Sequence, residues 1–224
     1  MDFAKGEVLL VDKPLRWTSF DVVNKLRNAL KKNYGKLKVG HAGTLDPLAT
    51  GLLIICTGQF TKRIDEFQAQ EKEYTGTIML GATTPTLDAE MAPDKTFPTD
   101  HITPELVREA AIKFIGEIDQ MPPMFSALKV GGVTAYKAAR EGKEIELKLR
   151  KVSISEFEIT DISLPEVSFR VVCSKGTYIR SLARDLGIAL DSGGYLTSLR
   201  RTRIGEFLVS DAWELQALGS KMAE

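Results

Sequence analysis

Cysteine and histidine are scarce in this sequence, two of each in 224 residues. Cys56 and Cys173 each sit inside an apolar run, Leu52-Leu53-Ile54-Ile55-Cys56 and Val171-Val172-Cys173. Both read as buried free thiols rather than a disulfide or a nucleophile, which fits a reducing compartment. His41 and His101 have no Cys, Asp or Glu at ligand spacing, so no metal site is expected. Long apolar runs are missing as well: none reaches the ~18 residues of a membrane span. The start, Met-Asp-Phe-Ala-Lys-Gly, lacks a basic leader followed by an apolar stretch. A cytoplasmic location without membrane attachment is expected.

Net charge is also absent, with 30 Lys+Arg against 30 Asp+Glu. A strongly basic nucleic-acid binder is thereby excluded, but a neutral chain can still present a basic face. Lys25, Arg27, Lys31, Lys32, Lys36 and Lys38 cluster early, and Arg180, Arg184, Arg200, Arg201 and Arg203 late. No Gly-rich dinucleotide loop opens a helix. No G-x-x-x-x-G-K-[ST] or G-x-S-x-G occurs, since His41 stands where the phosphate-loop lysine would be. Chemistry without a cofactor, a metal or a serine nucleophile is left. An isomerisation meets that condition.

What is present is a single chain with interspersed strands and helices and no regular βαβ rhythm. This pattern predicts an α+β fold with a mixed, mostly antiparallel central sheet flanked by helices and loops. Strands are predicted at Glu7–Val11, Leu52–Cys56 and Glu73–Leu80. A strand pair is predicted at Val152–Ile162 and Val167–Cys173, turning at Leu164-Pro165. A helix capped by Thr18 or Ser19 should bury Phe20, Val23, Leu26 and Leu30 and end near Gly35. Thr103-Pro104-Glu105 starts another that runs to about Ile115. Shorter helices are predicted at Ala135–Glu141, Tyr178–Leu190 and Asp211–Leu218. Lys38–Gly51 reads as a Gly/Pro-punctuated loop and Thr83–Asp100 as a surface excursion.

The loop is the most informative stretch. In Val39-Gly40-His41-Ala42-Gly43-Thr44-Leu45-Asp46-Pro47-Leu48-Ala49-Thr50-Gly51-Leu52-Leu53, an acid lies between an apolar residue and a proline, just before a very apolar strand. Its glycines permit close backbone approach. As a lone dipeptide, Asp46-Pro47 would merely start a turn.

The whole run resembles the catalytic loop of the bacterial tRNA pseudouridine-55 synthases, the TruB family. It matches every fixed position of G-H-x-G-x-L-D-P-x-A-x-G-x-L. Other blocks follow in family order: Lys13-Pro14 with Thr18-Ser19, Lys72-Glu73-Tyr74, and Pro122-Pro123-Met124-Phe125-Ser126-Ala127-Leu128-Lys129 with Ala135-Tyr136. Gly176-Thr177-Tyr178-Ile179-Arg180 and Leu199-Arg200-Arg201-Thr202 complete the set. Arg16 departs from the pattern, standing where glycine is frequent, and Thr86-Leu87-Asp88 lacks its usual following glycine.

The resemblance implies a pseudouridine synthase fold, with a catalytic domain over residues 1–210 that carries a surface insertion at about 83–135. Residues 211–224 would form a short C-terminal helix or tail, without a complete RNA-binding domain of the PUA type. It also implies an isomerase acting on the T-stem-loop of tRNA, without cofactor or protein partner, as a monomer. Asp46 becomes the essential carboxylate, which can stabilise a cationic sugar, abstract a sugar proton or form a covalent adduct. Arg180 would pair with Asp46, and Tyr74 would stack on the detached uracil. His41 would contact the vacated stack. Tyr178, Ile179 and Leu199 would line the pocket, Lys13 would support the loop, and Gly43 and Arg200 would meet RNA. The rival readings are an RNA-binding or RNA-folding module without turnover, and a related synthase acting on ribosomal RNA.

Overall fold

The structure, a computed structural model, describes residues 1–143 and 145–223. Glu144 and Glu224 lie outside the described residues, the latter being the end of the expected tail. In chain order the elements are β1 (Val8–Lys13), α1 (Ser19–Tyr34), β2 (Val39–Ala42), β3 (Ala49–Thr57), α2 (Ile64–Ala69) and β4 (Lys72–Leu80). Next come β5 (Ala82–Thr83), β6 (Lys95–Thr96), α3 (Pro104–Ile112), β7 (Gly116–Gln120), β8 (Lys129–Val130), β9 (Val133–Thr134) and α4 (Ala135–Arg140). The last are β10 (Arg150–Ser163), β11 (Glu166–Cys173), α5 (Ile179–Ala189), β12 (Gly194–Ile204), β13 (Phe207–Leu208), β14 (Trp213–Glu214) and α6 (Leu215–Ala223). The class is α+β, as the interspersed pattern predicts.

The chain divides into two compact units, Met1–Thr75 with Leu199–Glu224, and Gly76–Ser198. In the first, the sheet runs β14-β1-β3-β12, and β2 lies antiparallel on β3. β1 and β3 are antiparallel, whereas β3 and β12 are parallel. Strand β3 explains its own unbroken apolar run because both of its faces are covered. Leu53 and Ile55 face a core built with Val22, Leu26, Leu30, Leu215 and Leu218 from α1 and α6. Leu52, Ile54 and Cys56 face a second core with Phe67 and Ile204.

Helix α1 begins as its sequence dictates. Thr18 accepts from the Asp21 backbone N–H while Asp21 reaches back to the Thr18 N–H, a reciprocal cap. The buried face differs from the expected one. Phe20 is 60% exposed and Val22 is fully buried, because a helix opening at Ser19 directs 19, 22, 23, 26 and 30 inward. The expected loop at Lys38–Gly51 is shorter than predicted. Its flanks join the sheet as β2 and the start of β3, leaving residues 43–48 irregular.

In the turn after β1, Arg16 has a φ of 66° and an exposed side chain. A non-glycine residue in that region costs ~1–2 kcal/mol. Glycine there regains most of this, less its own unfolded-state entropy. Arg16→Gly is therefore expected to stabilise the protein by ~0.5–1 kcal/mol, read as a higher urea midpoint at unchanged slope.

In the second unit, β10 lies between β11 and β7, antiparallel to both. The β10–β11 hairpin turns at Leu164-Pro165, as predicted. Thr103 caps α3 through the Leu106 N–H. That helix stops at Ile112 rather than Ile115, because the N–H groups of Lys113, Phe114 and Ile115 each bond three residues back. Helix α5 spans Ile179–Ala189 and α6 Leu215–Ala223. The latter starts four residues later than the predicted Asp211, which instead closes a 3₁₀ turn at Val209–Asp211. The Thr83–Asp100 stretch is only partly superficial, since Thr84, Thr86 and Asp88 are buried.

Candidate active site

Asp46 sits in the irregular 43–48 segment between β2 and β3, half-buried. Its carbonyl accepts the Ala49 N–H at 3.0 Å, closing a turn with Pro47 at the position where a fixed φ fits best. The dipeptide does start a turn, and that turn is fastened from several sides. Ser19, at the start of α1, accepts from the Leu45 N–H at 2.9 Å and donates to the Leu45 carbonyl at 3.2 Å. The Arg16 N–H donates to the Pro47 carbonyl at 2.8 Å.

Lys13 has no exposed surface. Its ammonium donates to the carbonyls of Trp17 at 2.6 Å, Pro14 at 3.2 Å and Pro47 at 3.5 Å. Burial lowers its pKa to about 8, and the negative charge of Asp46 opposes that shift. The sign follows from linkage. Between about pH 8 and the ordinary lysine value of 10.5 the unfolded chain holds more protons at this lysine, so stability rises with pH there. The stability difference between wild type and Lys13→Met should therefore grow across that window, measured by urea denaturation at stepped pH. A difference that is flat in pH would contradict it.

Arg201 is 1% exposed and lies beneath the same loop. Its Nε donates to the Leu52 carbonyl at 2.8 Å and its Nη2 to the Gly43 carbonyl at 3.1 Å. One glycine of the loop motif answers to this residue: Gly51, at φ 102°, would place a Cβ 2.2 Å from the Arg201 carbonyl oxygen, whereas Gly43 is required by its φ of 95°. His41, on β2 opposite Ile55, is half-buried, and its Nδ1 is buried without a hydrogen-bond partner among the described residues. Its pKa is lowered, first by burial and then by the charge of Arg201, so the ring is neutral at neutral pH.

Leu199 pairs with Ala49 in the β12–β3 register, three residues beyond Asp46. Tyr74 is 9% exposed on β4, next to Glu73, whose carboxylate and carbonyl both accept from Thr202. Arg200 is held in a two-pronged ion pair with Asp12, at 2.6 and 3.1 Å, and its charge is committed there. The first unit thus holds Lys13, His41, Gly43, Asp46, Tyr74, Leu199 and Arg200 of the expected set.

Tyr178, Ile179 and Arg180 belong to the second unit, where they open α5. Gln120 fixes that opening. Its amide accepts from the Tyr178 N–H at 2.8 Å and donates to the Tyr178 carbonyl at 3.1 Å. Ile179 is buried and Tyr178 half-buried. Arg180 is 6% exposed and donates to the carbonyls of Thr86 at 3.0 Å and Phe125 at 2.9 Å. Asp88 lies 3.8 Å from its Nε, and both side chains are buried. Sequence reasoning missed Ser19, Gln120 and Arg201 as supports. The first two are ordinary polar residues in sequence, and Arg201 reads as one member of a surface arginine cluster.

Comparison with known proteins addresses what such an arrangement belongs to. Residues 31–179 match the TruB family pseudouridylate synthase N-terminal domain, and residues 180–224 match the tRNA pseudouridylate synthase B C-terminal domain. The chain belongs to the TruB family of pseudouridylate synthases. It is 59% identical to the tRNA pseudouridine synthase B of Flavobacterium johnsoniae, over 96% of this chain and 95% of that one. It is 50% identical to that of Chlorobaculum tepidum, over 96% and 90%. Among solved structures, it resembles a chain in the crystal structure of a Cbf5-Nop10-Gar1 complex, with TM-score 0.74 and 29% identity, covering 97% of this chain and 54% of that one. It is also similar to one in an H/ACA RNP bound to a substrate RNA containing 2'-deoxyuridine, with TM-score 0.71 and 26% identity, covering 97% and 53%. The chain spans about half the length of those two structural relatives. The fold is that of the pseudouridine synthases, and the TruB reaction is an isomerisation.

Proposed function

We propose that this TruB enzyme converts uridine 55 of the tRNA T-loop to pseudouridine, with Asp46 as the essential carboxylate. The observation that carries the reading is the turn at Asp46, locked by Ser19, Lys13 and Arg201 into one backbone path while the acid itself stays half-buried. A carboxylate held that way is suited to meet a nucleotide drawn out of its stack. Extrusion costs ~a few kcal/mol of unstacking, offset by contacts along the loop.

The N1–C1′ bond then breaks, leaving a cationic sugar and a uracil anion. Asp46 answers the developing charge, takes a sugar proton or bonds to the sugar. The freed base turns on Tyr74, C5 bonds to C1′, the C5 proton leaves and N1 gains one. Neutral His41 contacts the bases that remain. Leu199, paired with Ala49 beside the Asp46 loop, meets the extruded ring. The enzyme works as a cytoplasmic monomer, on RNA alone and without a cofactor.

Base-resolution mapping of pseudouridine in tRNA from a strain deleted for this gene tests the reading. Loss at the T-loop uridine alone is expected. An intact T-loop with loss at another site, or in ribosomal RNA, would reject it.

A further inference from the structure

Arg201 is not a surface arginine. It is almost fully buried, and its two donated hydrogen bonds end on Gly43 and Leu52. Those carbonyls stand on the two sides of the loop that carries Asp46. The one guanidinium therefore ties the entry of the loop to its exit. The backbone around it is arranged for this: Gly51 pairs directly with Arg201 in the β3–β12 register, and no side chain fits there. Burying a cation costs several kcal/mol unless its hydrogen bonds are met, so a purely structural need would be met more cheaply by an apolar residue.

We propose that Arg201 is a positioning residue of the active site, spanning the Asp46 loop from Gly43 to Leu52 so that the carboxylate is held at the geometry the reaction requires. A second consequence follows from its charge, which adds to burial in lowering the pKa of His41, the ring that is to meet stacked bases. The guanidinium fork is essential to the first role, because a lysine ammonium is a point donor and cannot reach both carbonyls in fixed geometry. Displacement of a catalytic group by about 1 Å costs ~10²-fold in rate.

The inference rests on the proposed function, and its test separates the two. Wild type, Arg201→Lys and Arg201→Gln are compared under single-turnover conditions with an unmodified T-stem-loop. RNA affinity is measured in parallel by filter binding, and folding by thermal melting. Arg201→Lys is expected to lose ~10–100-fold in the rate constant, with affinity within about threefold of wild type and a cooperative melt. NMR titration of the two histidines gives a readout independent of turnover: in Arg201→Gln, His41 should titrate at higher pH than in wild type. If Arg201→Gln does not fold, the same shift is sought in Arg201→Met, which removes the charge and keeps an apolar stem. A rate constant for Arg201→Lys within threefold of wild type, a parallel loss of rate and affinity, or an unmoved His41 titration would each overturn the inference. A wild-type protein that forms no pseudouridine would instead reject the proposed function.

Discussion

Asp46→Asn should reduce pseudouridine formation by at least ~10³-fold, the order seen when an acting carboxylate is removed from a catalytic set, while tRNA affinity stays close to wild type. Asparagine is nearly isosteric with aspartate. The supports of the loop act on its backbone: Ser19 on Leu45, Lys13 and the Arg16 N–H on Pro47, Arg201 on Gly43 and Leu52. All of them end on main-chain atoms, and only the support that the Asp46 charge gives to the Lys13 ammonium is lost, so the variant should fold with at most a slightly lower melt. What it loses is the negative oxygen that answers the sugar cation. Nucleoside analysis of the RNA after incubation, together with filter binding, checks both halves. Turnover that persists in the variant would leave the chemistry without its proposed agent. Binding that collapses with it would point to a misfolded loop.

The second large effect is expected on stability. Arg180→Met should cost ~3–5 kcal/mol, the range for removing one partner of a buried ion pair. Asp88, 6% exposed, would be left without its cation, and the carbonyls of Thr86 and Phe125 would lose donors. Asp88 also accepts the Glu90 N–H, a bond that its carboxylate would have to give up to turn to solvent. Adding Asp88→Asn to Arg180→Met should recover part of the loss, because the double variant removes the uncompensated charge. Urea denaturation of the two single variants and the double variant measures this. A loss below about 1 kcal/mol for Arg180→Met would show the pair to be ornamental. The experiment matters for mechanism as well, since any fall in activity of an Arg180 variant must be read beside its stability.

Much of the fold is legible in sequence where one physical signal dominates. The apolar run of β3 announces a strand covered on both faces, and Thr103-Pro104-Glu105 announces the start of α3. The N-cap of α1 is equally plain, although its buried face is set by where the first turn begins, which moved Phe20 outward and Val22 inward. Strand β2 was hidden because Val39-Gly40-His41-Ala42 is too short and too glycine-rich to declare itself. Strand β12 was hidden because three arginines in Leu199–Ile204 look like surface. In the structure Arg200 is paired with Asp12 and Arg201 is hydrogen-bonded to main-chain carbonyls, and such partners lie 188 and 149 residues away in sequence. The burial of Thr86 and Asp88 has the same origin, since both meet Arg180 nearly a hundred residues later.

The site divides along the same line. Asp46 stands out because its motif is contiguous, and a contiguous run of fixed residues is readable without coordinates. The groups that hold it, Ser19, Lys13 and Arg201, come from two distant stretches and have ordinary side chains, and of the three only Lys13 is expected from the resemblance. Only the path of the backbone brings their donors to the carbonyls of the loop.

The most direct test of the central claim uses an unmodified T-stem-loop carrying tritium at C5 of the target uridine, incubated with excess purified enzyme. Isomerisation exchanges the N1 link for a C5 link and must expel the C5 hydrogen. Release of one equivalent of tritium per stem-loop, accompanied by pseudouridine at that position, is the predicted result. Retention of the label in RNA that is nevertheless bound by the enzyme would contradict it.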